Sequence, residues 1–176
     1  MATESASTND SQGLSVRPIS ETEYELAGRL VVSAYEALPG AHMSDGYATL
    51  LADVGRRAAE AEVLVAVGSE LVGCVTLVPG PSSPWAEGLM PDEAGVRMLA
   101  VAPAAQGRGI GRALLDACIA RARQLGRNGV FLHSTPWMQA AHHLYETAGF
   151  VRLPERDWFP VPEVPLLAFR LDLGQG

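Results

Sequence analysis

Six residues, Gln106-Gly107-Arg108-Gly109-Ile110-Gly111, stand where an apolar stretch ending at Val101 gives way to a long helical pattern. Alternating glycines at such a junction have a specific chemical use. The first turn of a helix carries backbone N–H groups with no partner, and its dipole end is positive. Glycine lets that backbone approach an anion with no Cβ in the way. Arg108 and Arg112 add charge. The residues from Gln106 to Arg112 therefore suit a pyrophosphate cradle. The same glycines could also simply turn a strand into a helix. Two nucleotide patterns do not fit. The mononucleotide loop needs Gly-Lys-Ser/Thr, and here the run is Gly109-Ile110-Gly111-Arg112. The dinucleotide pattern fails because Arg112 occupies the place of its third glycine.

Position along the chain narrows the reading further. Leu14 to Ile19 reads as a strand, and Ser20-Glu21-Thr22-Glu23 as a capping box that opens a helix to about Leu38. Pro39-Gly40 breaks it, and a second helix is expected over Tyr47 to Ala61. Glu62 to Val67 and Leu71 to Val78 form a hairpin pattern around Gly68-Ser69-Glu70. A loop rich in Pro, Gly and Ser, from Pro79 to Pro91, precedes a strand from Gly95 to Val101. The helix from Gly109 to Leu125 is amphipathic, with Ile110, Leu114, Ala117, Cys118 and Leu125 on one side. A strand over Gly129 to His133, a helix from Met138 to Ala148, a short strand over Phe150 to Leu153 and a final strand over Pro165 to Leu173 follow, with Pro154 to Pro162 irregular. The order predicts an α/β chain with a mixed, mostly antiparallel central sheet of six to seven strands, flanked by about four helices.

Composition bounds the rest. The chain has 176 residues, 48% of them apolar, enough for one core of ordinary size. Residues 1–13 read as a disordered polar tail and residues 14–176 as a single domain. The net charge of −7 disfavours nucleic acid. No run is long and apolar enough for a membrane span, and Met1 to Gln12 lack the apolar stretch of a signal peptide. Cys74 and Cys118 sit in apolar runs without metal spacing, which fits no metal and a reducing cytoplasm.

Two segments together resemble the GNAT acyltransferase superfamily. Gln106-x-x-Gly109-x-Gly111, with Leu99-Ala100-Val101-Ala102-Pro103 before it, is similar to that family's Q/R-x-x-G-x-G/A signature. Ala141-His142-His143-Leu144-Tyr145-Glu146-Thr147-Ala148-Gly149-Phe150 resembles its A-x-x-L-Y-E-x-x-G-F segment. The resemblance implies a transferase that uses acetyl-CoA as cosubstrate and a small-molecule or peptide amine as acceptor. It implies that the strand holding Leu99, Ala100 and Val101 pairs with the pantetheine arm, the Leu99 N–H polarising the thioester. Gln106, Gly107, Arg108, Gly109, Ile110, Gly111 and Arg112 would hold the pyrophosphate, and Tyr145 would protonate the departing thiolate. Where the family often has an asparagine, seven residues before the tyrosine, this chain has Met138.

The amine must lose a proton before it attacks. Glu93, with Asp92 beside it, precedes the strand of the site and is a candidate base, though the pair could equally be a solvated loop; His133, at the end of the next strand, is a candidate base through water or else a structural histidine. Glu36 and His42 are further candidates to line an acceptor pocket. Trp85, Trp137, Trp158 and Phe159 lie in or beside loops, where aromatics either shape a pocket or cover the core. A non-catalytic acyl-CoA-binding sensor is the alternative function. Homodimers are common in families of this kind, and the final strand, Pro165 to Leu173, would offer an edge.

Overall fold

The computed structural model describes residues 13–174; the tail expected over Met1 to Gln12 lies outside them. Within that span eight strands and five α-helices occur: β1 (Ser15–Pro18), α1 (Tyr24–Glu36), α2 (Asp45–Ala52), α3 (Val54–Glu60), β2 (Glu62–Val67), β3 (Leu71–Val78), β4 (Glu93–Val101), α4 (Ile110–Gln124), β5 (Gly129–Ser134), α5 (Gln139–Thr147), β6 (Val151–Arg152), β7 (Trp158–Val161) and β8 (Val164–Asp172). The sheet order is β1-β2-β3-β4-β5-β8-β6, with β7 also on β8. Every neighbouring pair is antiparallel except β4 and β5. The β4–β5 pair needs a crossover, which α4 supplies; β5 and β6, both antiparallel to β8, run parallel to one another and are joined across it by α5. The mixed, mostly antiparallel sheet expected from the element order is therefore present.

The local signals act as their chemistry dictates. Ser20 and Glu23 close a capping box, and Glu23 also takes Arg17 as an ion-pair partner at 2.7 Å. The helix they open begins as one 3-10 turn and becomes α1 at Tyr24. The second expected helix is two. Ser44 starts α2 earlier than Tyr47, its Oγ accepting from the Tyr47 N–H at 3.2 Å. Asp53 then ends α2 and caps α3, accepting from the Arg56 N–H at 3.1 Å. An aspartate that satisfies the next helix's N–H groups breaks the run where apolar spacing continues. One strand was not expected: β7 forms from Trp158–Val161 against β8. As a result the final strand is no edge. β8 pairs with β5 on one side and with β6 and β7 on the other, which removes the edge suggested for pairing with a second copy.

Two cores cover the sheet. One packs Ile110, Leu114 and Cys118 of α4 and Tyr145 of α5 onto Val75, Val96, Val130 and Phe169. The other packs Ala27, Val31 and Leu51 onto Val65, Cys74, Met98 and Ala100. Gly73 lets α4 sit close, since a Cβ there would lie 2.8 Å from Leu114 Cδ1. On the opposite face Gly28 of α1 lies against the end of α2; a Cβ there would collide with the Ala52 carbonyl. No helix among the described residues is long and apolar enough to cross a membrane. Gly28→Ala should overpack the α1–α2 contact at a cost of about 1–3 kcal/mol, read as a fall in Tm of several degrees by calorimetry.

Candidate functional site

The site grows from the one parallel pair. β4 and β5 run side by side only through Glu93↔Gly129, Ala94↔Val130 and Gly95↔Phe131. Beyond that point β4 continues to Val101 and β5 to Ser134 without pairing, so a wedge opens between them. A β-bulge drives the divergence. Against β3, Thr76 faces Arg97 and Cys74 faces Ala100, which leaves Met98 and Leu99 opposite the single Val75. Met98 takes φ +51°, the left-handed region, as a non-glycine, and a bulge of this kind bends its strand and raises its twist. The extra residue also reverses the side-chain alternation. Ala94 and Val96 face the α4 core, whereas Met98 and Ala100 face the α1 core.

At the mouth of the wedge lies the start of α4. Gly107 and Gly109 both adopt positive φ, +76° and +78°, with no atom within 4 Å of where a Cβ would stand. Among the described residues, none of the backbone N–H groups from Gly107 to Arg112 has an intramolecular acceptor. Gln106, Arg108 and Arg112 are exposed around this nest. Arg112 is tied to Asp116 at 2.9 Å. Gly111 sits where a Cβ would touch Leu144 of α5 and Leu99 and Val101 of β4, so the three elements meet at the nest. Such a run of unpaired donors at a helix start is suited to an anion.

Tyr145 lies on the α4 side, 5% exposed, with its ring against Phe150 and Phe169 at 5.8 Å each. Its hydroxyl makes no hydrogen bond among the described residues. Burial pushes its pKa up to about 12, with a smaller push from Cys118, so the phenol is protonated at neutral pH. α5 begins after Met138 with no side-chain cap. His142 next to it contacts Ser134 Oγ at 3.2 Å.

On the other face the wedge forms a cleft of ≈ 110 Å³, whose walls include Tyr35, Tyr47, Trp85, Arg97, His133 and Trp158. His133 Nε2 is 3.1 Å from the Arg156 carbonyl. A carbonyl only accepts, so this contact places the ring proton on Nε2 and leaves the Nδ1 lone pair unused. Burial lowers the His133 pKa, and the charges of Arg97 and Arg156 lower it further, against the opposing hydrogen bond. The imidazole is neutral at pH 7.

Glu93 occupies a different place from the one a free base would need. It is 1% exposed at the closed end of the wedge. Its Oε1 accepts from Arg156 Nη1 and Arg170 Nε, each at 2.8 Å. Its Oε2 accepts from Arg156 Nη2 at 2.8 Å and from the Met90 N–H at 3.0 Å. Burial alone would raise its pKa, yet the bonds from Arg156, Met90 and Arg170 hold it below the ordinary value. A carboxylate with four donors has little capacity left for a proton. Asp92 is half-exposed and reaches only Arg170, at 3.8 Å.

Sequence reasoning missed Tyr35, Tyr47 and Arg97. Arg97 had a signal, a lone cation inside the apolar run from Gly95 to Val101. The tyrosines had none, because their approach depends on how α1 and α2 cross β4. The Pro79–Pro91 loop is held at several points: Trp85 Nε1 donates to Glu60 at 2.8 Å, and Arg127 Nε to the Pro79 carbonyl at 2.7 Å. Trp85 and Trp158 line the cleft; Trp137, Phe159, Glu36 and His42 do not.

The model of the acetyltransferase (GNAT) family matches residues 29–150. The mycothiol acetyltransferase of Geodermatophilus obscurus is 42% identical over 74 residues, which is 42% of this chain and 22% of that protein. The mycothiol acetyltransferase of Propionibacterium freudenreichii is 44% identical over 55 residues, 31% of this chain and 18% of that one. The chain thus spans about a fifth of the length of these relatives. Among solved structures, the Salmonella typhimurium protein yncA, determined with acetyl-CoA, aligns with a TM-score of 0.70 at 19% identity over 94% of this chain and 96% of that one. A GNAT-family protein from Desulfovibrio desulfuricans gives 0.72 at 19% identity, over 92% and 99%. At these identities the likeness establishes the fold.

Two measurements check the site. In an NMR titration the His133 ring should titrate below the ordinary histidine value, whereas a value above it would mean an anionic, proton-accepting partner in the cleft. Glu93→Ala should cost about 3 kcal/mol in chemical denaturation, since it takes the carboxylate from the part-buried Arg156 and leaves Arg170 only Asp92 and Asp172, at 3.8 and 4.0 Å. Because the folded pKa of Glu93 is depressed, its contribution is whole at neutral pH and fades only as pH falls through that lowered value.

Proposed function

Because the chain belongs to the GNAT family of acetyltransferases, we propose that it transfers the acetyl group of acetyl-CoA to a primary amine, both substrates bound together and the amine attacking the thioester directly. The observation that carries this reading is the juxtaposition of an unpaired N–H nest at the start of α4 with the open wedge between β4 and β5. Acetyl-CoA supplies a pyrophosphate, an extended amide-bearing arm and an acetyl thioester. The nest from Gln106 to Arg112 suits the first. The edge of β4 at Leu99, Ala100 and Val101, where among the described residues β5 no longer pairs beyond Gly95, suits the second. The Leu99 N–H at the bulge is the donor assigned to the thioester carbonyl.

Tyr145 and His133 divide the proton work in this reading. Tyr145 stands on α5, on the α4 side of the sheet, and holds a proton at neutral pH, so it is assigned to the departing thiolate. His133 reaches the wedge from the opposite face with Nδ1 unprotonated, so it is assigned to the amine, directly or through a water. Glu93 takes a positioning role: through Arg156 it fixes the carbonyl that orients His133. Residues 14–176 act as one catalytic domain, and Cys74 and Cys118, both free and buried, suit a reducing cytoplasm.

The test incubates the protein with acetyl-CoA and a panel of primary amines and reads free thiol. At least one amine should release thiol. Tyr145→Phe should lower kcat by about 10²-fold or more while calorimetry shows acetyl-CoA affinity within about twofold, and an unchanged kcat would remove Tyr145 from its role. Gly109→Val, strained at φ +78° and intruding on the nest, should weaken acetyl-CoA binding. Tight acetyl-CoA binding with no turnover on any amine would favour a sensor over an enzyme.

A further inference from the structure

The acceptor side of the wedge contains a cation whose hydrogen bonds are mostly unused. Arg97 comes from β4 one residue before the bulge, and both it and Met98 line the cleft. Its Nη1 donates to the Trp85 carbonyl at 3.0 Å. Its guanidinium carbon stands 5.6 Å from the centre of the Trp85 ring, which supports it as a cation–π partner. Glu87, half-exposed, comes no closer than 4.0 Å, beyond hydrogen-bond reach. A guanidinium has five N–H donors in a fixed fork. Among the described residues Nε and Nη2 form no hydrogen bond. The side chain is therefore anchored at one nitrogen, with the rest of the fork unfilled, and it is only one-third exposed.

The surroundings define what would fill it. Tyr35, Tyr47, Trp158 and the Trp85 ring give aromatic walls. His133 lines the same cleft, close enough that the Arg97 charge depresses its protonation. At ≈ 110 Å³ the cleft is small, below the ~300 Å³ at which pockets enclose a drug-sized ligand. Because His133 and Arg97 line this one small cleft, a single small ligand can present groups to both. A planar carboxylate matches the fork bidentately. Resting on the acetyl-transfer reading above, we infer that the acceptor is an amine of the amino-acid class, and that Arg97 selects it by binding its carboxylate while the amine faces His133.

The test is equilibrium binding read by fluorescence of Trp85 and Trp158, which line the cleft. The probes are the N-acetyl derivatives of glycine, leucine, methionine and phenylalanine, each paired with its own carboxamide. In the wild-type chain at least one acid should bind tenfold or more tightly than its amide. Arg97→Gln should bring that pair within twofold, and Arg97→Lys should keep part of the preference. Glu87→Gln, which leaves Arg97 intact, should tighten the acid severalfold without moving the amide. The inference is overturned if no acid is preferred, if the preference survives Arg97→Gln, or if Glu87→Gln weakens the acid. These readouts need no turnover. A chain that prefers acids yet fails to bind acetyl-CoA by calorimetry would refute the acetyl-transfer reading and leave the role of Arg97 standing.

Discussion

The parting of β4 from β5 is the constraint on which the site depends. Two parallel strands that pair for three residues and then separate leave backbone groups of β4 without a partner along that edge. Buried backbone polar groups need partners, so such an edge is tolerable only where water or a ligand can reach it. The wedge also sets what can meet inside it: α4 and α5 from one face, α1, α2 and the Pro79–Pro91 loop from the other.

Opposite ends of the gap are built differently. At the closed end, Glu93 receives Arg156, Arg170 and a backbone N–H, joining β4, β8 and the turn before β7. Removing one member would strand buried charge, which gives the cluster its rigidity. Arg156 also lies over the Phe131 ring, 3.7 Å from its centre, and its carbonyl meets His133. At the open end, among the described residues, the donors of the nest have no acceptor, and Arg97 has only the Trp85 carbonyl and a distant Glu87 at 4.0 Å. Charge is thus satisfied internally where the strands join and left available where they part.

The bulge at Met98 connects these ends. By adding one residue to β4 it moves Met98 and Ala100 to the α1 face and turns Leu99 and Val101 toward α4. A regular strand would have kept a single alternation and placed Leu99 on the same face as Arg97. The positive φ of Met98 is the local conformational cost of that switch.

Much of the architecture was legible in the sequence because its causes are local. Apolar periodicity marked most elements, the Ser20–Glu23 box marked the first helix, and the glycines from Gly107 to Gly111 marked the turn into α4, since the positive φ of Gly107 and Gly109 is a property glycine itself supplies. Asp53 splitting a helix and β7 pairing with β8 were missed, because each depends on a competing partner that periodicity does not register. The roles of Glu93 and Arg97 were beyond reach for the same reason at longer range. Both looked like polar residues in or beside one strand. Only the tertiary structure brings Arg156 and Arg170, 63 and 77 residues away, onto Glu93, and leaves Arg97 facing an open cleft. Partners distant in sequence decide whether a charge is neutralised or free, and a linear pattern does not contain them.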